Sequence, residues 1–321
     1  MKAHESGRVG VVGASGIGKH HAKWWALEGA DVCGFVGTSP QSVAETRQNL
    51  HELFGFSGRG YTSIEALINA ERPDIVDICS PPALHVSHAE AVIEAGCDVL
   101  CEKPFYYDPE RGPDEILNEA RRIVALARDK SIVLGMCAQY AVAADYFVDI
   151  WRRERGNETI TRYDGLLQTP ARGRSQDPGR VWVDLSPHLL SVIQRIAPGT
   201  NVDWLTLEVE FRGLKAKASF SVRRRGGPAL ECNLTAVNTT EEPTHVRRFA
   251  FNDFTFTIEG RVDGKGVYGA RIETPAGAFE EDDMMRVLIR KMLAGTPVVS
   301  GGDALVNLER LLQILDFARD K

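Results

Sequence analysis

The run Val9-Gly10-Val11-Val12-Gly13-Ala14-Ser15-Gly16-Ile17-Gly18 sets a glycine-rich turn between an apolar stretch and an amphipathic one. Such a turn, after a strand and before a helix, lets backbone N–H groups approach a pyrophosphate, and the helix N-terminus adds partial positive charge. Of the usual GxGxxG, Gly13 and Gly18 are present and Ser15 takes the middle place. Serine is small enough to keep the approach open, which leaves Gly16 to absorb any unusual backbone dihedral. Gly13, Ser15, Gly16, Ile17 and Gly18 are therefore candidate cofactor-binding residues. The acidic residue expected about 20 residues further on, at the end of the second strand, is absent: the sequence there is Val36-Gly37-Thr38-Ser39. No carboxylate repels a 2′-phosphate at that point, and Thr38 and Ser39 could donate to one. No arginine stands beside them, and the same two residues could simply start the next helix. The cofactor expected is NADP or NAD, with a lean to NADP.

His20-His21 and His85-x-x-His88 offer imidazoles, but neither pair lies near a carboxylate cluster at ligand spacing in the sequence, so no metal is expected. His20, His21 and His88 read as helix-surface residues. The six cysteines (Cys33, Cys79, Cys97, Cys101, Cys137, Cys232) show no CxxC or zinc-type spacing. Most sit in apolar runs, where a reduced thiol behaves as a small buried hydrophobe, so a reducing, cytoplasmic location is expected.

The elements that must carry these groups follow from hydrophobic periodicity. Val9–Gly13, Val32–Val36, Ile75–Cys79, Val99–Cys101 and Ile132–Met136 read as strands, with Tyr61 in a shorter one. Helices are expected from Gly16 to Leu27, from Ser39 or Pro40 towards Leu53, and over Ile64–Ala70, His85–Ala95 and Pro113–Asp129. Strands spaced by helices imply βαβ crossovers and a parallel, doubly wound sheet. Beyond about residue 150 the pattern changes to alternating runs at Leu205–Phe211, Ala216–Val222, Leu230–Val237, Val246–Phe251 and Phe254–Ile258, separated by turn signals that include Asp263-Gly264. That is an antiparallel or mixed sheet with one wet face. Two helices close the chain: Asp282–Ala294, and one capped by Asp303. The fold class expected is α/β, an N-terminal Rossmann domain over 1–138 followed by an α+β domain over 139–321 built on a large open mixed sheet.

The 321 residues carry 38 Lys plus Arg against 44 Asp plus Glu, a formal charge of −6. A surface of that sign repels a phosphate backbone, so nucleic acid is not an expected partner. No apolar run approaches the ~20 residues of a membrane span. The N-terminus has charge but no hydrophobic core, so neither secretion nor a membrane partner is indicated.

Two further segments carry a resemblance. Pro73-Asp74-Ile75-Val76-Asp77-Ile78-Cys79-Ser80-Pro81-Pro82-Ala83-Leu84-His85, followed by Ala95-Gly96-Cys97-Asp98-Val99-Leu100-Cys101-Glu102-Lys103-Pro104, resembles the signature of the Gfo/Idh/MocA oxidoreductases. The resemblance implies a Rossmann domain followed by an α/β domain on an open sheet. It implies that Glu102 bonds a cofactor ribose and that Pro104, often through a cis peptide, turns Lys103 towards the nicotinamide. It makes Lys103 the catalytic lysine, on the substrate hydroxyl or carbonyl. Ser80 and Pro81 would line the adenine–ribose crevice, and His85 fits the same strand-end motif. The family's second motif, Asp-x-x-x-His, is similar to Asp184-Leu185-Ser186-Pro187-His188. Ser186 and Pro187 would start a helix whose positive end keeps His188 a neutral base, with Asp184 orienting it. The plainer alternative has Asp184 and Ser186 capping that helix and His188 packing in the domain seam.

Where relatives have glycines before the aspartate, this chain has Val181-Trp182-Val183. Where they often have an Asn-x-Arg-Phe-like segment, it has Cys137-Ala138-Gln139-Tyr140. Gln139, Tyr140 and Trp182 are then candidate substrate-pocket residues, with aromatic core packing the alternative for the last two. The expected function is an NAD(P)-dependent oxidoreductase acting on a small-molecule substrate, a sugar, polyol or related metabolite. It is expected to work as a homodimer or homotetramer. A redox-assisted NAD-dependent glycoside hydrolase and a non-catalytic dinucleotide-sensing regulator are the alternatives.

Overall fold

Val9, Val11, Ile75, Val76, Ile78, Val99 and Leu100 have no solvent exposure, so the strands that carry them are covered on both faces, as a parallel sheet requires. The structure, a computed structural model, describes residues 7–173, 176–262 and 268–319. Six strands, β1 (Arg8–Val12), β2 (Asp31–Val36), β3 (Arg59–Tyr61), β4 (Ile75–Ile78), β5 (Asp98–Glu102) and β6 (Leu134–Cys137), pair in the order β3-β2-β1-β4-β5-β6, all parallel. The crossovers are α1 (Gly18–Leu27), α2 (Pro40–Phe54), α3 (Ile64–Glu71), α4 (His85–Glu94) and α5 (Pro113–Asp129). Local chemistry explains their ends. Ser39 and Ser63 accept from the N–H groups of Ser42 and Ala66 at the starts of α2 and α3. Gly55 and Gly96 take positive φ where α2 and α4 stop.

The second sheet has eight strands. After α6 (Tyr140–Arg155), β7 (Arg162–Pro170) and α7 (Pro178–Ile196) come β8 (Asn201–Arg212), β9 (Lys215–Arg223), β10 (Leu230–Thr239), β11 (Val246–Phe251), β12 (Phe254–Val262), β13 (Tyr268–Thr274) and β14 (Gly277–Asp282). Their order is β14-β13-β12-β11-β7-β10-β9-β8, antiparallel except for β7 beside β10. Tyr163 donates its hydroxyl to the Leu189 carbonyl at 3.2 Å, tying α7 to the sheet. Phe147 stacks on Phe256 at 4.7 Å in the aromatic centre of this core. The chain closes with α8 (Met284–Leu293) and α9 (Gly301–Arg319). No helix among the described residues is long and apolar enough to cross a membrane.

Several expectations are corrected. The chain forms two units, Met1–Ala138 with Met285–Leu308, and Gln139–Met284 with Glu309–Lys321; a continuous domain over 139–321 is therefore not what forms. Strand β7 escapes the alternation pattern because Asp164 and Gly165 interrupt it. Gly165 is required there, since a Cβ would lie 2.6 Å from the Tyr163 hydroxyl and 2.9 Å from Leu189. The α9 start is a reciprocal pair in which Ser300 Oγ accepts from the Asp303 N–H at 3.2 Å and Asp303 accepts from the Ser300 N–H at 3.0 Å, so Ser300 and not Asp303 is the cap. The turn expected at Asp263-Gly264 lies outside the described residues.

Candidate active site

In the first unit the strand order reverses between β1 and β4, which opens a crevice beyond the strand ends. Three segments converge there. The glycine turn follows β1, Cys79-Ser80-Pro81 follows β4, and Lys103-Pro104 follows β5. Gly13, at φ +87, takes the left-handed conformation expected of Gly16, which does not adopt it. A Cβ on Gly13 would lie 2.8 Å from the Cys79 carbonyl oxygen, and one on Gly18 would lie 2.5 Å from the Gly13 carbonyl oxygen. Both glycines are sterically required. A Cβ on Gly16 would meet nothing within 4 Å, so the turn is open on the side where Ser15, Gly16 and Ile17 are exposed. No side chain caps α1, which leaves its N-terminus suited to an anion. These observations fit a dinucleotide pyrophosphate.

At the end of β2 the hydroxyls divide. Ser39 Oγ accepts from the Ser42 N–H at 3.2 Å as the α2 cap, while Thr38 is exposed. A Cβ on Gly37 would approach Val43 Cγ2 at 3.0 Å, so a side chain fits there only if that methyl yields slightly.

The Lys103–Pro104 peptide is cis. Two buried histidines flank this turn. His85 directs Nδ1 to the Pro104 carbonyl at 3.0 Å and Nε2 to the Ser80 carbonyl at 2.8 Å. Its ring, 1% exposed, is a strut between the β4 and β5 turns. Burial lowers its pKa, against the partial compensation of those carbonyls. Ser80 Oγ in turn meets His88 Nδ1 at 2.9 Å. His21 is 1% exposed, which corrects its reading as a surface residue. Its Nδ1 is 2.9 Å from Asp77 and its Nε2 is 3.1 Å from Glu102. The sulfurs of Cys79 and Cys137 lie 3.3 and 4.0 Å from the same two nitrogens. His21 therefore does have carboxylate neighbours. They come from β4 and β5, far away in sequence, and His21-Asp77-Cys79 and His21-Glu102-Cys137 are both compact enough to be considered as metal ligands. Burial opposes the charged ring, but the Cys79 sulfur and the Asp77 carboxylate outweigh it, and the His21 pKa is raised well above the ordinary value.

In the second unit, Asp184 and His188 lie one turn apart on α7, on one face. The helix does not begin at Ser186. It begins at Pro178, where the Asp177 side chain accepts from the Arg180 N–H at 3.1 Å and proline occupies the first position. Pro187 sits inside the helix, so His188 is removed from the positive helix end and that reason for its neutrality does not hold. Ser186 is fully buried in mid-helix and caps nothing. His188 is 9% exposed and packs edge-on against Tyr140 at 5.1 Å. Burial pushes the Tyr140 hydroxyl up to about 12. Gln139, half-buried, precedes Tyr140 at the start of α6.

Trp182 is corrected to a core residue. It is fully buried, its Nε1–H donates to the Leu311 carbonyl at 3.2 Å, and its ring lies 5.6 Å from that of Phe211. Trp182→Phe is expected to lower stability by about 1–2 kcal/mol, because a buried acceptor loses its donor, and to leave the Michaelis constant for substrate unchanged. Urea denaturation and steady-state kinetics check the two halves.

This is a Rossmann domain joined to a unit built on an eight-stranded mixed sheet, with a glycine turn and a lysine turn at one strand-end crevice. Residues 7–137 match the family described as "Oxidoreductase family, NAD-binding Rossmann fold", and over that segment the chain is similar to the Gfo/Idh/MocA oxidoreductases. It is 32% identical over 121 residues to the D-glucoside 3-dehydrogenase of Escherichia coli (36% of this chain, 32% of that protein). It is 34% identical over 104 residues to the inositol 2-dehydrogenase of Rhizobium meliloti (32% of this chain, 30% of that one). The match thus spans about a third of the length of these relatives. In fold, the chain is similar to the crystal structure of UDP-N-acetylglucosamine 3-dehydrogenase GnnA from Acidithiobacillus ferrooxidans, with TM-score 0.71, 22% identity and 96% of each chain covered.

Proposed function

We propose that this protein is an NAD(P)-dependent oxidoreductase acting on a CH–OH group of a sugar, polyol or related hydroxylated metabolite. The observation that carries the reading is the meeting of the open glycine turn with the Glu102-Lys103-Pro104 turn at the switch point of the parallel sheet. The similarity to a D-glucoside 3-dehydrogenase and an inositol 2-dehydrogenase supports the substrate class.

Gly13, Ser15, Gly16, Ile17 and Gly18 hold the pyrophosphate, and Ser80 and Pro81 line the adenosine side. Glu102 serves the ribose and His85 holds the turn from behind. When bound, nicotinamide supplies the hydride acceptor or donor. Lys103 holds the substrate oxygen and takes or returns its proton. His188, oriented by Asp184, is the second candidate for that proton, and Gln139 for a substrate contact. Sugar and polyol oxidation by the purified protein, followed by the absorbance of reduced nicotinamide, tests the reading; a complete panel without turnover or dinucleotide binding refutes it. As a proposed homodimer or homotetramer, the protein has a ready apolar contact in Leu205, 94% exposed on β8, and sedimentation as a monomer would contradict that state.

The cofactor preference follows from Gly37. No carboxylate there attracts the ribose hydroxyls of NAD or repels a 2′-phosphate. Thr38 remains free of capping duty, whereas Ser39 does not, so the expected preference for NADP(H) is small, a few-fold to about tenfold or ~1 kcal/mol. Calorimetric titration with both cofactors checks it. Gly37→Asp should reverse the order, and tighter NAD binding by the unaltered protein would sink the preference.

A further inference from the structure

A neutral imidazole carries one N–H and so can donate to one acceptor. His21 faces a carboxylate oxygen on each ring nitrogen, Asp77 at 2.9 Å and Glu102 at 3.1 Å. With a single proton, one of those contacts would set a nitrogen lone pair against a carboxylate in a site almost closed to water. Two protons satisfy both. The ring's other near neighbours are the sulfurs of Cys79 and Cys137, 3.3 and 4.0 Å from the same two nitrogens. Asp77, with no solvent exposure, also accepts from Trp25 Nε1 at 2.6 Å and from the Cys79 thiol at 3.5 Å. It is anchored, and it anchors the ring.

We propose that His21 is a positioning residue whose buried imidazolium bridges Asp77 and Glu102 and thereby sets the Glu102-Lys103 turn for the dinucleotide. The chain of contacts is short. Oε1 of Glu102 faces His21 Nε2, and Oε2 accepts from the Lys103 backbone N–H at 3.1 Å. The carboxylate is gripped at both oxygens, so its rotation would drag the Lys103 peptide with it. His85 holds the following carbonyl, that of Pro104, from the other side. The position of Lys103 is thus set from α1 as well as from its own strand. One imidazolium between the two carboxylates offsets one of their two negative charges. The two possible ligand sets also use opposite nitrogens of a single ring.

The inference deepens the proposed dinucleotide site, and its test separates the two. Nitrogen-15 NMR of histidine-labelled protein at about pH 7.5, above the ordinary histidine range, reads ring protonation without any ligand. His21, assigned by selective loss of its signals in His21→Gln or by ring correlations in the wild type, is expected with both nitrogens protonated, whereas His85, between two uncharged carbonyls, stays neutral; a neutral His21 ring would overturn the bridge, whatever the protein binds. Calorimetry with the dinucleotide that the wild type prefers then compares His21→Gln, Glu102→Gln and the double variant. His21→Gln should weaken binding about tenfold, and the double variant should bind no more weakly than Glu102→Gln alone, because the histidine acts through the glutamate. Losses that simply add, or unchanged affinity in His21→Gln, overturn the positioning role. Stoichiometric zinc in the purified protein, lost in His21→Gln, also overturns it. If His21→Gln does not fold, the NMR result on the wild type decides. A wild type that binds no dinucleotide refutes the proposed function and leaves the NMR result to stand on its own.

Discussion

Lys103→Ala is expected to lower turnover by about 10²–10⁴-fold, the range that a positioned acid–base group contributes, while dinucleotide affinity changes by no more than about twofold. The split follows from where the contacts lie. The surfaces suited to the pyrophosphate and ribose belong to Gly13–Gly18, Ser80, Pro81 and Glu102, and the lysine side chain is not needed to form them. The backbone of the turn survives the substitution, since the contacts on it are made by the Lys103 N–H to Glu102 and the Pro104 carbonyl to His85. Stopped-flow turnover with the best substrate from the panel, and calorimetry with the cofactor, give the two numbers separately. Near-wild-type turnover would remove Lys103 from the chemistry; a parallel collapse of affinity would make it a binding residue.

Gly13→Ala and Gly16→Ala should part company, although both sit in the same turn. Alanine at 13 must hold φ near +87 and place its methyl 2.8 Å from the Cys79 carbonyl oxygen and 3.0 Å from the Ser80 nitrogen. All of these are backbone atoms, fixed where Cys79 N donates to the Val12 carbonyl at 2.8 Å. The expected loss is about 2–3 kcal/mol, combining left-handed strain with displacement of the β1–β4 junction. Alanine at 16 points into open space, so the free protein should be as stable as wild type, within about 0.5 kcal/mol. Its methyl nevertheless stands on the side of the turn proposed for the pyrophosphate, and affinity for the dinucleotide should fall about tenfold or more, ~1.4 kcal/mol. Thermal denaturation with and without cofactor tests both. A Gly16→Ala protein with unchanged affinity would show that the pyrophosphate lies elsewhere.

Much of the first unit can be read from the residues alone. Val9–Gly13, Ile75–Cys79 and Pro113–Asp129 are legible because each is a closed local pattern: a largely apolar run bounded by glycine or by proline, or a proline start followed by periodic apolar residues. The glycine turn is legible for the same reason, since a tight approach to a phosphate leaves its mark within a few neighbouring residues, whereas the Glu102-Lys103-Pro104 segment is legible through its resemblance to a family signature. Helix α7 was only half legible. Its Asp177-Pro178 start is a good local signal, but Ser186-Pro187 mimics a second start inside it. Proline in mid-helix forfeits one hydrogen bond, which neighbouring packing can offset and local sequence does not show. Trp182 owes its place in the core to an N–H bond to the Leu311 carbonyl, 129 residues away, which no local pattern carries.

His21 marks the boundary most clearly. In the sequence it is one of two adjacent histidines in a lysine-bearing helix, with no acid near it. Asp77 is a lone polar residue in the apolar strand Ile75–Ile78, and Glu102 ends another. Sequence by itself determined that α1 follows the glycine turn and that these strands are buried. Only the tertiary structure decided that the turn of α1 carrying His21 lies over β4 and β5, because strand order is set by crossovers that join residues more than 50 positions apart. A buried carboxylate needs a donor or a counter-charge, and which residue supplies it depends on that packing.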